Sequence, residues 1–141
     1  MAERLGEASD TSGCVGFNCS TAIFLKICFQ CSRAEIPIAY AGRWVAWCYL
    51  PRIGDSVVWS KEEDDFASVE EIYWHVRQNA VEIIATRDCD STVDALLQDN
   101  EEVSFDSVYG YWLETAYKEG FNYKHASEDA MAGHGGVPSR K

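Results

Sequence analysis

Between Thr21 and Gln30, Ile23, Leu25, Ile27 and Phe29 alternate with Phe24, Lys26, Cys28 and Gln30. A two-residue period with one side more apolar than the other predicts a strand. After a turn region at Cys31 to Glu35, the stretch from Ile36 to Leu50 is aromatic and β-branched, and Ala41-Gly42 interrupts it, which predicts a bend or hairpin there. Beyond the interruption, Trp44, Ala46, Cys48 and Leu50 share one face and Val45, Trp47 and Tyr49 the other. Apolar residues on both faces imply a cover on both, the core on one side and a helix or a second subunit on the other. Pro51-Arg52-Ile53-Gly54-Asp55 reads as a turn into an extended run from Ser56 to Trp59, and Lys61 to Asp65 as a solvated acidic loop. The clearest hairpin joins Glu70–Arg77 to Ala80–Thr86 through Gln78-Asn79, with Ile72, Trp74 and Val76 answered by Val81, Ile83 and Ala85.

Past Cys89 the period changes from two to nearly four. Ser91 or Thr92 is placed to cap a short helix carrying Val93, Leu96 and Leu97. Phe105, Val108, Tyr109, Trp112, Leu113 and Ala116 then recur at helical spacing, with Ser104 as N-cap, Asp106 in the first turn and Gly120 at the end. These elements predict an α+β domain: a small, curved antiparallel sheet, SH3-like or a partly open barrel, packed by a C-terminal helix. The expected domain covers residues 20–123, between a flexible N-terminal segment, 1–19, and a flexible tail, 124–141, that contains Gly-His-Gly-Gly-Val-Pro. The run Leu50 to Val58 resembles, in general look only, short bacterial and phage proteins in which such a turn leads into a barrel strand; nine residues carry no activity with them.

A chain of 141 residues with 47% hydrophobic and 25% charged residues can fold around one core without staples. Its net charge of −11 is concentrated: between Asp55 and Asp106, 15 Asp or Glu face only Lys61, Arg77 and Arg87. Phosphate neutralisation needs a basic footprint, so this balance argues against direct nucleic-acid binding and leaves a basic protein partner as the charged partner to expect. No apolar run of 18 residues suggests a membrane span, and Met1 to Ser12 lacks a basic-then-apolar leader. A cytoplasmic, reducing setting is the expectation, with most of the six cysteines as free thiols.

Candidate chemistry is sparse. Cys14-x4-Cys19-x8-Cys28-x2-Cys31 offers four thiols, but the strand-forming run between the pairs holds them about 25–30 Å apart when extended, so no metal site is assigned. His75, His125 and His134 are scattered, and His75 is read as a surface histidine because no adjacent nucleophile or orienting carboxylate is apparent. Carboxylate pairs are too abundant to single out, and Asp88-Cys89-Asp90-Ser91 lacks the glycine and terminal glutamate of a calcium loop.

Aromatic residues, at 13% of the chain, are the unusual feature. A core this small does not bury them all, and Trp and Tyr suit places that are apolar at one end and wet at the other. Two binding roles follow. One is a non-enzymatic, self-associating domain, a homodimer, presenting an acidic face at Glu62, Glu63, Asp64 and Asp65 to a basic protein, as inhibitors encoded by phages and other mobile elements do. The other is a small-molecule domain with an aromatic pocket for a planar ligand between sheet and helix, at Trp44, Trp74, Trp112 and Tyr109. Neither requires a cofactor, and an enzyme is the least favoured class because no catalytic residue can be named.

Overall fold

The computed structural model describes residues 22–32, 36–100 and 102–126, with side chains through residue 122. The expected flexible ends, apart from residues 124–126, lie outside the described residues, as do Cys14 and Cys19. Eight elements follow one another: β1 (Ala22–Gln30), β2 (Ala39–Val45), β3 (Ser56–Val58), β4 (Phe66–His75), β5 (Ala80–Asp88), α1 (Asp90–Gln98), α2 (Phe105–Lys118) and β6 (Tyr123–Ala126). The strands form one strongly curled sheet in the order β3-β4-β5-β1-β2-β6, the α+β architecture that the periodicity predicts. Strand β6 straddles the boundary expected at residue 123 and pairs with β2.

One pairing departs from an all-antiparallel sheet. β1 and β5 run parallel, Ala22 opposite Ala80 through Gln30 opposite Asp88. Both strands are buried from Ile23 to Phe29 and from Ala80 to Ala85, and strands buried on both faces belong at a sheet's centre. Side chains alternate between the two faces. Ile23, Leu25, Ile27 and Phe29 of β1 join Val81, Ile83 and Ala85 of β5 in the main core, where they meet Val93 of α1 and Val108, Tyr109 and Ala116 of α2. On the opposite face Cys28, Tyr40 and Ile84 form a second, smaller cluster with Ile38 and Tyr73.

No bend occurs at Ala41-Gly42, because β2 continues through both residues. A Cβ on Gly42 would lie 2.5 Å from the Phe24 ring, so the glycine admits an aromatic ring against the strand backbone. Strand β2 stops at Val45, which leaves Ala46 to Leu50 irregular and removes the expected continuation of its alternation. In the β4–β5 hairpin Ile72 faces Ile83 and Trp74 faces Val81 as predicted, while Val76 falls in the connecting turn. A bulge between Val69 and Glu71 inserts Glu70, and such an extra residue sharpens local twist and bending.

The helix ends explain how the last elements are set. α1 is N-capped at Cys89 with no side-chain cap, so neither Ser91 nor Thr92 performs that role. Asp88 Oδ1 instead accepts from the Asp90 amide at 2.8 Å, and the Asp90 carboxylate accepts from the Ser32 amide and hydroxyl at 2.9 and 2.7 Å. Those bonds occupy both carboxylates of the Asp88-Cys89-Asp90 motif. α2 begins with a capping box between Ser104 and Ser107. It ends in a Schellman turn: Gly120 sits at φ +94°, its amide donates to Tyr117 O, and Phe121 N donates to Ala116 O. That turn delivers Phe121 into the core and starts the return to β6.

Candidate functional site

β3 is one edge of the sheet and β2 lies next to the other, yet Val57 and Val58 of β3 and Arg43, Trp44 and Val45 of β2 line the same cleft. Only a curled sheet brings them together. The cleft has a volume of about 480 Å³ and is completed by Leu25, Ala46, Trp47, Trp59 and Phe121. Its lining side chains are apolar or aromatic apart from one charged group, Arg43, although the surface that the cleft exposes is more polar than apolar.

Each wall has a local cause. Trp59 follows β3, where its amide donates to Asp65 O at 3.0 Å, and its ring is 5% exposed. It packs edge-on against Phe29, Trp112 and Phe121 at centroid distances of 5.6, 6.4 and 6.1 Å. Among the described residues its buried indole N–H meets no acceptor. The turn before β3 is pinned to β4, with Gly54 N donating to Val69 O and Val69 N to Asp55 O, both at 2.8 Å. Trp47 lies in the irregular segment after β2, half-buried against the core. Trp44 adjoins the cleft, but its ring turns to the other face and rests edge-on against Phe24 at 5.1 Å.

Arg43 is held by the end of α2. Its Nη1 donates to the Glu119 carbonyl at 2.7 Å and its Nε to the Trp44 carbonyl at 3.4 Å, while the guanidinium lies 5.8 Å from the Phe121 ring centroid. Both acceptors are backbone oxygens, so the cation has no carboxylate partner among the described residues.

The residues named from sequence are dispersed. Trp74 is 62% exposed at the β4–β5 hairpin, beside a hollow of about 180 Å³ shared with His75, Val76, Asn79 and Ala80. Trp112, on α2, touches the cleft only through Trp59 and stacks under Arg87, whose guanidinium is 4.5 Å from its centroid. Tyr109 is fully buried in the core. Glu62, Glu63 and Asp64 are exposed in one loop, whereas Asp65 turns inward, buried, and accepts from the Ser60 hydroxyl. Arg43, Trp47, Trp59 and Phe121 are not among the site residues named from sequence. The available signal was Arg43 itself, the one strong cation within the aromatic run from Ile36 to Leu50.

A second constellation lies on the sheet's opposite face. Lys26 Nζ and Glu82 Oε2 are 2.8 Å apart, and both side chains are 0% exposed. Glu82 Oε1 also accepts from His75 Nε2 at 2.8 Å, so His75, 25% exposed, is not the free surface histidine expected. The Lys26 ammonium stands 5.2 Å from the Tyr40 ring centroid. Nearby, burial pushes the Cys28 thiol up to about 11, opposed by a hydrogen bond with Tyr40, and the same burial raises Tyr40. Each charge stands alone within the buried stretch of its strand, and opposite charges in neighbouring central strands must find each other when both faces are covered. The groups are satisfied by one another, which is the signature of a structural network.

Among the described residues no cluster of three or more His, Cys, Asp or Glu is arranged to hold a metal, and no helix is long and apolar enough to cross a membrane. No protein-family model matches the chain, and neither a curated protein nor a solved structure matches it closely enough to name a relative.

Proposed function

We propose that this chain is a binding domain whose cleft between β2 and β3 takes a small planar ligand. The observation that carries this reading is the concave surface itself: about 480 Å³, walled by Trp47, Trp59, Val57 and Phe121, with a single oriented cation at Arg43. Ligand sites commonly occupy about 300–1,000 Å³, are lined by apolar and aromatic side chains, and carry few polar groups that fix orientation. The aromatic cluster of Phe29, Trp59, Trp112 and Phe121 makes the floor rigid, so little order is gained on binding and little entropy is lost. Calorimetric titration with a panel of neutral, anionic and cationic bicyclic aromatics tests the reading. Saturable one-site binding by at least one of them, weakened about tenfold by Trp47→Ala, is expected. A panel that gives no heat at millimolar concentration contradicts it.

An acidic docking face on a self-associating domain is a second reading, and the loop from Ser60 to Asp65 favours its docking half. Its backbone is pinned by Asp65 N donating to Glu62 O at 2.9 Å and by the inward Asp65, so Glu62, Glu63 and Asp64 are presented outward together. Sedimentation of the chain with and without polylysine measures both halves. A monomer that ignores polylysine at physiological salt rules this reading out.

A further inference from the structure

Resting on the cleft as a ligand site, the geometry points to an aromatic carboxylate as its occupant, with the Arg43 guanidinium as partner of the anionic group. Among the described residues that line the cleft, Arg43 alone carries charge and none is a carboxylate. A half-buried cation without a counter-ion among the described residues is unusual in a chain of net charge −11, where carboxylates outnumber basic residues 23 to 12. Two of its donors are spent on backbone carbonyls at Glu119 and Trp44, which fixes the fork without neutralising it. A planar guanidinium held in this way matches a carboxylate in bidentate fashion.

The same geometry narrows the class further. Arg43 sits at the C-terminal end of α2, where the helix dipole gives negative potential. The C-terminal end of α2 and the acidic protein as a whole oppose any anion, and a phosphate dianion, with twice the charge of a carboxylate, is opposed about twice as strongly. One carboxylate charge matches one guanidinium. A planar cation would suit the aromatic walls and the overall charge, but it would have to lie in a cleft whose only ionic group repels it. Trp47, half-buried beside the cleft, supplies aromatic surface for the ring, over a floor that includes the buried Trp59.

The test compares 2-naphthoate, 2-naphthamide and 2-naphthylmethylammonium, which share a ring and differ in charge, by calorimetry on the full chain. Naphthoate is expected to bind at least about tenfold tighter than naphthamide, with the gap closed in Arg43→Gln. If the amide or the ammonium binds as tightly as the carboxylate, the charge assignment is overturned while the cleft remains a ligand site. If none of the three binds, both fall. The wild-type ratio does not depend on the variant folding, and Val58→Glu gives an independent reading because Val58 is an exposed rim residue of the cleft. Bringing a carboxylate to the rim must weaken naphthoate more than naphthamide; equal weakening overturns the assignment.

Discussion

Replacing Gly42 by alanine would put a methyl carbon 2.5 Å from Cζ and 2.6 Å from Cε2 of Phe24, and 3.3 Å from the Leu25 carbonyl oxygen. Carbon atoms in contact sit about 3.5–4.0 Å apart, so roughly 1 Å of overlap has to be relieved. The Phe24 ring is fully buried and leans on Trp44, so it cannot swing into open space. Either the ring leaves its rotamer or β2 lifts from β1 along the pairing of Lys26 with Gly42. Overpacking of this kind costs about 1–3 kcal/mol, and alanine recovers about 0.4–1 kcal/mol by restricting the unfolded chain. A net loss of about 1–2 kcal/mol is expected. Urea unfolding followed by tryptophan fluorescence should show it as a midpoint lower by roughly 0.5–1 M, given slopes of about 1–3 kcal/mol per M. Phe24→Leu shortens the offending ring, so in the Gly42→Ala background it should cost less than it does alone, a coupling of at least about 0.5 kcal/mol. An alanine variant as stable as the parent, or strictly additive losses, would refute the account of this glycine.

Glu82→Gln removes the carboxylate that contacts both Lys26 and His75, and should cost about 3–5 kcal/mol in chemical unfolding, whereas Lys26→Met with Glu82→Leu should recover most of that loss. Glu62→Gln, at an exposed position, serves as the comparison and should change stability by less than about 0.5 kcal/mol. Ser104→Ala removes the α2 cap and should lower stability by about 1 kcal/mol in thermal melts, with the loss visible in helical circular dichroism. Burial holds the thiols of Cys28 and Cys89 protonated, up to about 11 and about 12 against an ordinary 9.0. Because the folded state keeps those protons longer than the unfolded one, their stabilisation is intact below pH 9.0 and is lost as pH rises from there towards 12. Urea midpoints across that window should fall, and fall less in Cys89→Ala.

The fold was legible where side-chain period and end signals agreed. Ile23 to Phe29, the Ile72–Ile83 and Trp74–Val81 pairs, and the Ser104 to Gly120 helix each carry a local pattern that matches their tertiary role. Gly42 misled because glycine signals a turn locally, whereas here it answers to Phe24, eighteen positions away in sequence. The parallel pairing of β1 with β5 follows from burial on two faces, a property that a single strand displays but does not assign to a particular neighbour. The cleft was the least legible part. Its walls come from β2, β3 and the segment after α2, which meet only through the curl of the sheet, so the abundance of aromatics was visible and their partition was not. Tyr109 and Trp112 share the helical stripe that faces the sheet, and that stripe is core. The network of Lys26, Glu82 and His75 did leave a trace: one charge in each of two apolar runs, of opposite sign.

Five tryptophans provide five indole signals in a nitrogen-15 correlation spectrum of the chain. On titration with 2-naphthoate, the signals of Trp47 and Trp59 should move together and saturate, while Trp74, at the exposed hairpin, stays still. Shifts confined to Trp74, or none at any indole, would contradict a ligand site between β2 and β3.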